Sequence, residues 1–130
     1  MVYFPHVVLA IKAIAAEAIT AGKLVDFTAD GKVSLCDDGD RPHGIAMTNA
    51  AANEEVTVML IGVAKEVEAG GAISVGQQVV GDANARPKAL ANQDVDEGGT
   101  AAYTIYYDFR KATCIKAASA AGDKIDLIFG

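Results

Sequence analysis

The chain has 130 residues, of which 52% are apolar and 22% charged, and its formal net charge is −6 with an isoelectric point near 4.7. This length and composition predict one globular domain with a single hydrophobic core and exclude a disordered tail. The acidic balance argues against binding to nucleic acid or to an anionic membrane, because both need clustered Lys and Arg side chains.

Residues 1–14 are predicted to be either an N-terminal arm or a first strand, and residues 15–130 a single β domain. The apolar residues Val2, Tyr3, Phe4 and Pro5 either tuck against their own domain or dock on another chain. Pro5 lacks the amide donor that a central strand needs. Residues 7–20 are rich in alanine, which favours a helix, but their β-branched start favours a strand to about Ala13.

A hairpin is predicted after a turn at residues 17–22. Residues 23–27 and 32–35 have strand character, and Asp30-Gly31 between them is the strongest hairpin signal in the chain. The acidic run 37–40 lacks the further oxygen ligands and closing Glu of a calcium loop, so it is predicted to be a solvated turn. His43 has no Cys or second His at ligand spacing, which argues against a zinc site.

The longest apolar, β-branched run in the middle of the chain, residues 56–64, is predicted to be a buried core strand. Gly62 interrupts this run, which predicts a bulge or a sharp bend. Cys36 and Cys114 are predicted to be buried thiols in a reducing cytoplasm, because a chain with a core of this size does not need a disulfide.

The second half contains a Tyr-rich strand, predicted for residues 101–109 after an acidic loop at 92–100. This strand holds Tyr103, Tyr106, Tyr107 and Phe109, which are half of the eight aromatic side chains. These four residues are candidates for an interface, and core packing is the alternative. The last strand, residues 124–129, alternates polar and apolar side chains until its final three residues.

The two halves of the sequence resemble each other. Residues 21–25 are similar to 75–79, and residues 53–59 are similar to 122–128. The second half is longer by about the length of residues 94–108, which predicts a duplication with an insertion in the second copy. The predicted fold is mainly β, a compact β-sandwich or barrel with pseudo-duplicated halves and few short helices.

The sequence contains no recognisable catalytic or cofactor-binding constellation. His6 and His43 have no Ser or Cys partner in a motif, and the carboxylates occur as runs in predicted loops. There is no phosphate-binding glycine motif after a strand. The expectation is a protein that is not an enzyme and that needs no cofactor and no metal.

Short glycine-containing pieces recur in order along residues 15–129. They read A-G-x-x-V, G-K-V and G-I-A in the first half, A-G-x-x-I-x-x-G-x-x-V in the second, and A-G-D-x-I near the end. In this order they resemble the small decoration, or cement, proteins of tailed-phage capsids. The chain departs from that pattern at residues 94–109, where such proteins have a shorter connection.

The resemblance implies a non-enzymatic structural protein, commonly a homotrimer, that binds the outer surface of an assembled capsid and stabilises the lattice. It implies the lattice of the major capsid protein as partner and the virion exterior as location, after synthesis in the host cytoplasm. Nucleic acid and membrane are not expected partners. The alternative is a small-molecule or carbohydrate-binding β module that uses Tyr103, Tyr106 and Tyr107 as stacking platforms.

Overall fold

The computed structural model describes residues 1–90 and 112–130, and these residues form nine β-strands. In chain order the strands are β1 (Tyr3–Ala15), β2 (Leu24–Ala29), β3 (Lys32–Leu35), β4 (Gly44–Ala46), β5 (Glu55–Glu68), β6 (Val79–Gly81), β7 (Pro87–Ala89), β8 (Ala112–Lys116) and β9 (Lys124–Phe129). The predicted mainly β fold is confirmed, but the two described ranges contain no helix, not the few short ones expected. The predictions for Tyr103, Tyr106, Tyr107 and Phe109 lie outside the described residues.

Seven of the strands form one sheet in the order β1-β3-β2-β4-β5-β9-β8, and β1 pairs with β5 as well as with β3. The first five strands therefore pair in a closed ring. β9 and β8 extend the sheet from the second half of β5, on the edge opposite β1. β6 and β7 pair with each other in a separate two-stranded sheet.

β5 is the strand around which the other strands are arranged. One edge pairs with β1, and the other edge pairs first with β4 and then with β9. Val56 and Val58 pack into one core cluster, whereas Met59, Ala64 and Val67 pack into the second. The predicted core strand is thus confirmed on its inward side, and it contributes side chains to both clusters.

The irregularity predicted at Gly62 is also present. Gly62 has a φ of +149°, and the register between β1 and β5 shifts beside it, between Val7 and Leu9. The predicted hairpin is confirmed too, because β2 and β3 pair antiparallel around Gly31, which has a φ of +68°. In both places a local glycine signal correctly indicated the backbone geometry.

Each half of the chain contains the same local arrangement. Ile19 and Ala50 exchange two backbone hydrogen bonds of 2.9 Å, and Ile73 and Ala118 exchange two of 3.0 and 2.9 Å. The glycine that follows each isoleucine by three positions has a positive φ, 92° in the first half and 89° in the second. These matched contacts support the predicted duplication.

Both cysteines are free and buried, as predicted. Burial, followed by the nearby carboxylate of Asp26, raises the pKa of the Cys36 thiol. Burial likewise raises the pKa of the Cys114 thiol. A thiol whose pKa is raised is a weak nucleophile, so both side chains act as small apolar core residues.

Candidate functional site

The four N-terminal candidates, Val2 just before β1 and Tyr3, Phe4 and Pro5 at its start, alternate between the core side and the solvent side. Val2 and Phe4 pack against the larger core cluster, whereas Tyr3, 47% exposed, and Pro5 face away from it. Tyr3 is paired with Lys65 of β5, so this segment is part of the seven-stranded sheet of the same chain. Of the four, only Tyr3 and Pro5 are exposed enough to contact a partner. Their role in an interface remains a prediction.

An ion pair anchors the N-terminus to the same chain. The ammonium group of Met1 lies 3.0 Å from Glu66 Oε2, and the Glu66 N–H donates to Asp126 Oδ1 over 3.2 Å. The hydrogen bond from the ammonium group, together with its charge, lowers the pKa of the Glu66 carboxyl. The first residues are therefore held on β5 and β9 and do not form a detached arm in this structure.

A candidate interface that the sequence reasoning missed lies on the outer side of the sheet formed by β1, β5, β9 and β8. Leu9 is paired with Ile61, and Val63 is paired with Ile128, so these side chains lie next to one another away from the core. Ile115 follows buried Cys114 on β8 and points to the same side. We call this set the apolar outer face: Leu9, Ile61, Val63, Ile115 and Ile128.

The apolar outer face is open to solvent. Leu9, Ile61, Ile115 and Ile128 are between 39% and 45% exposed. Contiguous exposed apolar side chains on a soluble protein mark interaction sites. The sequence contained a signal for this face in β9, where Ile128 stands at an outward position between buried Leu127 and Phe129 and breaks the polar–apolar alternation.

A second open feature is the edge of β1 that faces away from β5. β1 pairs with β3 only at Ile14 and Ala15, so within the described residues its edge over residues 3–13 has no strand partner. All six residues from Pro5 to Ala10 are exposed, including Val8 at 62%. An edge of this kind presents unpaired N–H and C=O groups that can accept another strand. We call residues 3–13 the β1 edge.

A polar cluster fastens the connection between β3 and β4 to β2. Asp26 Oδ1 accepts a hydrogen bond from Cys36 Sγ over 3.2 Å and lies 3.8 Å from His43 Nδ1. His43 Nδ1 in turn accepts the backbone N–H of Phe27 over 3.0 Å. His43 therefore holds the backbone of β2 at Phe27. In residues 1–90 and 112–130, no group of three His, Cys, Asp or Glu side chains is placed to hold a metal ion.

A cleft of about 200 Å³ lies between the N-terminus and the turn before β2, lined by Val2, Lys23, Glu68, Arg86 and Lys124 among others. Sites for drug-sized ligands enclose about 300–1,000 Å³. The cleft is smaller, and two of its charged groups already have partners, since Lys23 donates to the Asn84 carbonyl and Arg86 to Asp82. The cleft therefore gives no support to a small-molecule module.

No helix in the two described ranges has the length and apolar character needed to span a membrane. Two surfaces of the described residues are available for contact with another protein, the apolar outer face and the β1 edge.

Comparison with known proteins points to the same class. The sequence model for phage cement proteins matches residues 6–128. No curated protein matches the chain. The crystal structure of the head fiber gp8.5 N base in bacteriophage phi29 has a similar fold, with a TM-score of 0.62 and 15% sequence identity over 100% of this chain and 95% of that chain. At this identity the likeness concerns the fold alone.

Proposed function

The chain belongs to the phage cement protein family, and from this premise we propose that it binds the outer surface of an assembled phage capsid as a homotrimer and stabilises the lattice. The family makes it a capsid-associated structural protein, as the resemblance predicted. The exterior location, the trimer and the contact surface form our proposal.

The observation that carries the proposal is the apolar outer face. Its side chains stand on paired strands, so their positions are set before any partner binds and little conformational entropy is lost on docking. Complete burial of a Leu or Ile side chain contributes about 1.5–3 kcal/mol, so burying the exposed 39–45% of one contributes roughly 1 kcal/mol. Several such side chains in each of several copies give a firm attachment.

Stabilisation of the lattice follows from where such a protein binds. If the binding site spans neighbouring capsid subunits, the protein binds the assembled shell and not free subunits. Any ligand that binds only one state shifts the equilibrium toward that state by mass action. No catalytic group is needed for this.

The test is co-sedimentation of the purified chain with capsids that lack it. Ile128→Lys places a charge in the apolar outer face at a side chain that is 45% exposed, so folding should be retained. We expect at least a tenfold loss of capsid affinity with an unchanged melting temperature. The control is Ala18→Lys, at an exposed position between β1 and β2, which should bind as the wild type does.

Two results would contradict the proposal. One is Ile128→Lys occupying capsids to the same extent as the wild type. The other is binding of the wild-type chain to free capsid subunits as tightly as to the assembled shell. The mass of the purified chain by light scattering at low micromolar concentration tests the homotrimer directly, with three chains expected.

A further inference from the structure

We propose that the β1 edge pairs antiparallel with the β1 edge of a second copy of this chain, about a two-fold axis at Val8. This inference goes beyond the proposed function, because the two-fold contact is distinct from the contacts of the homotrimer and holds whether or not either copy is on a capsid. It assigns an occupant to the longest open strand edge among the described residues.

The first argument is the open hydrogen-bonding edge. β5 pairs with one side of β1 between Tyr3 and Ile14, with register shifts before His6 and on either side of Leu9. Among the described residues, β3 pairs with the other side only at Ile14 and Ala15. A long, exposed and apolar strand edge is a template for pairing with another chain, and proteins normally cover or charge such an edge. Here the central residues Val7, Val8 and Leu9 are 40%, 62% and 43% exposed. A partner strand would satisfy the backbone groups and cover these side chains together.

The second argument is the register. The open edge runs from residue 3 to residue 13, so two copies that pair over its full length are centred on its middle residue, Val8. Val7 then lies opposite Leu9 of the other copy, and His6 lies opposite Ala10. Cross-strand pairs of apolar side chains stabilise a sheet, whereas like charges directly opposite destabilise it. In this register Lys12 faces Phe4, so the two lysines do not meet. Pro5 faces Ile11 and donates no hydrogen bond there, so the backbone hydrogen bonds between the two copies come from the other residues of the edge.

The third argument is charge. All 17 Asp and Glu residues of the chain follow residue 16, and Lys12 is the single Lys or Arg before it. Two copies, each with a net charge of −6, repel one another through most of their surface. β1 has no carboxylate, so it is a strand along which two copies can approach without carboxylates meeting.

The pairing is isologous, because the same edge is used by both copies. A trimer needs a heterologous contact and therefore uses a different surface. In a shell that carries trimers, pairing at the β1 edge would join a copy in one trimer to a copy in a neighbouring trimer.

The experiment is disulfide trapping with Val8→Cys. Directly opposite residues of antiparallel strands have Cα atoms about 4.5–5.5 Å apart, within the range of about 4.4–6.8 Å that a disulfide spans. The native cysteines are buried, so they contribute little background. The matched control is Val75→Cys, because Val75 is 65% exposed and lies beside β8, which is separated from β1 by β5 and β9. We expect a linked dimer with Val8→Cys in mild oxidant and at least tenfold less with Val75→Cys.

A mixture of His6→Cys and Ala10→Cys tests the register. These positions face each other in the proposed pairing, so the mixture should give more linked dimer than either variant alone. Equal yields from Val8→Cys and Val75→Cys, or self-linking of Ala10→Cys at the level of Val8→Cys, would overturn the proposal.

A measurement without added cysteine uses Val8→Lys, which places two lysines opposite each other at the proposed two-fold axis. We expect light scattering of the concentrated wild type to detect association through the β1 edge. This association should be lost in Val8→Lys and kept in Val75→Lys. Retained pairing in Val8→Lys would count against the β1 edge. Capsid binding is read separately, so its failure and the failure of this contact are distinguishable.

Discussion

Gly62 of β5 lies so close to His6 of β1 that a β-carbon on Gly62 would overlap the His6 carbonyl oxygen. The same β-carbon would stand 2.7 Å from Met59 Sδ. The backbone of Gly62 also has a φ of +149°, which L residues rarely adopt. Glycine is therefore required here both for space and for backbone conformation. At this point the strand that pairs with the second edge of β5 changes from β4 to β9.

Gly62→Ala is expected to lower the free energy of unfolding by about 3 kcal/mol, from strained backbone and from overpacking. The control is Gly71→Ala, because an added β-carbon there meets no atom within 4 Å. Urea unfolding of both variants checks the prediction. An equal urea midpoint for Gly62→Ala and Gly71→Ala would contradict the prediction, because it would mean that β1 moves away from the added β-carbon without loss of stability.

Phe4 and Tyr3 are neighbours on β1 with opposite surroundings, and their alanine variants should behave differently. Phe4 packs against the core cluster although it is only partly buried, so Phe4→Ala should cost about 2 kcal/mol, less than the 3–5 of a fully buried Phe. Tyr3→Ala should change stability by no more than about 0.5 kcal/mol. Thermal unfolding measures both. An equal loss in the two variants would mean that the segment is not held as a strand.

This contrast also makes point substitutions a sharper test of interfaces than deletion of residues 1–5. Deletion removes Val2 and Phe4 from the core together with exposed Tyr3, so loss of binding and loss of stability would be mixed.

Asp82 should make the protein sensitive to acid. Its Oδ1 accepts the backbone N–H groups of Asn84 and Arg86 over 2.8 and 2.9 Å, and its Oδ2 accepts Arg86 Nε over 3.1 Å. Burial alone would raise the pKa of Asp82, but these donors and the guanidinium charge outweigh it and lower the pKa below 3.8. The carboxylate therefore contributes stability above pH 3.8 that is lost as the pH falls through the lowered pKa.

Asp82→Ala should accordingly cost about 2 kcal/mol at neutral pH, because donor groups lose their acceptor. The difference from the wild type should shrink toward zero as both are titrated below the pKa of Asp82. Denaturant unfolding over this pH range is the measurement, and a difference that is independent of pH would contradict the assignment.

Asp26 should show the opposite dependence on pH. Burial raises the pKa of its carboxyl, and a hydrogen bond to Asp40 and the charge of Asp40 act in the same direction, while the bond from Cys36 opposes them. The folded protein therefore holds the Asp26 proton more tightly than the unfolded chain does. The stability of the folded protein declines as the pH rises from 3.8 through the raised pKa of Asp26. Asp26→Asn, which keeps an oxygen acceptor for Cys36, should remove this decline. An identical pH profile in the variant would exclude Asp26 as its source.

The features that were predicted correctly from sequence are those with a local cause. Asp30-Gly31 and Gly62 indicate a turn and an irregularity through backbone conformation, which depends on few neighbours. The sequence leaves open whether residues 1–14 form an arm or a strand. Residues 7–11 are apolar at both odd and even positions, so the pattern does not indicate which face of a strand would be buried. Their place depends on β5, which lies far along the chain.

The apolar outer face was missed for a related reason. Ile61 and Ile128 stand inside apolar runs that are typical of buried strands, so the break in alternation at Ile128 does not by itself show whether a second layer covers both sides of the sheet. Only the pairing of β5 with β1 and β9 shows that these two side chains lie on the uncovered side.

The pairing of β1 with β5 also determines when β1 can enter the sheet as the chain is synthesised. Leu9 and its partner Ile61 are separated by about 50 positions, so the first strand leaves the ribosome long before the strand that receives it. At about 5–20 residues per second, the apolar segment waits about 3–10 s without a partner. Distant pairings of this kind make folding slow, and the ring cannot close until β5 has emerged. During that interval the unpaired apolar strand is open to pairing with another chain.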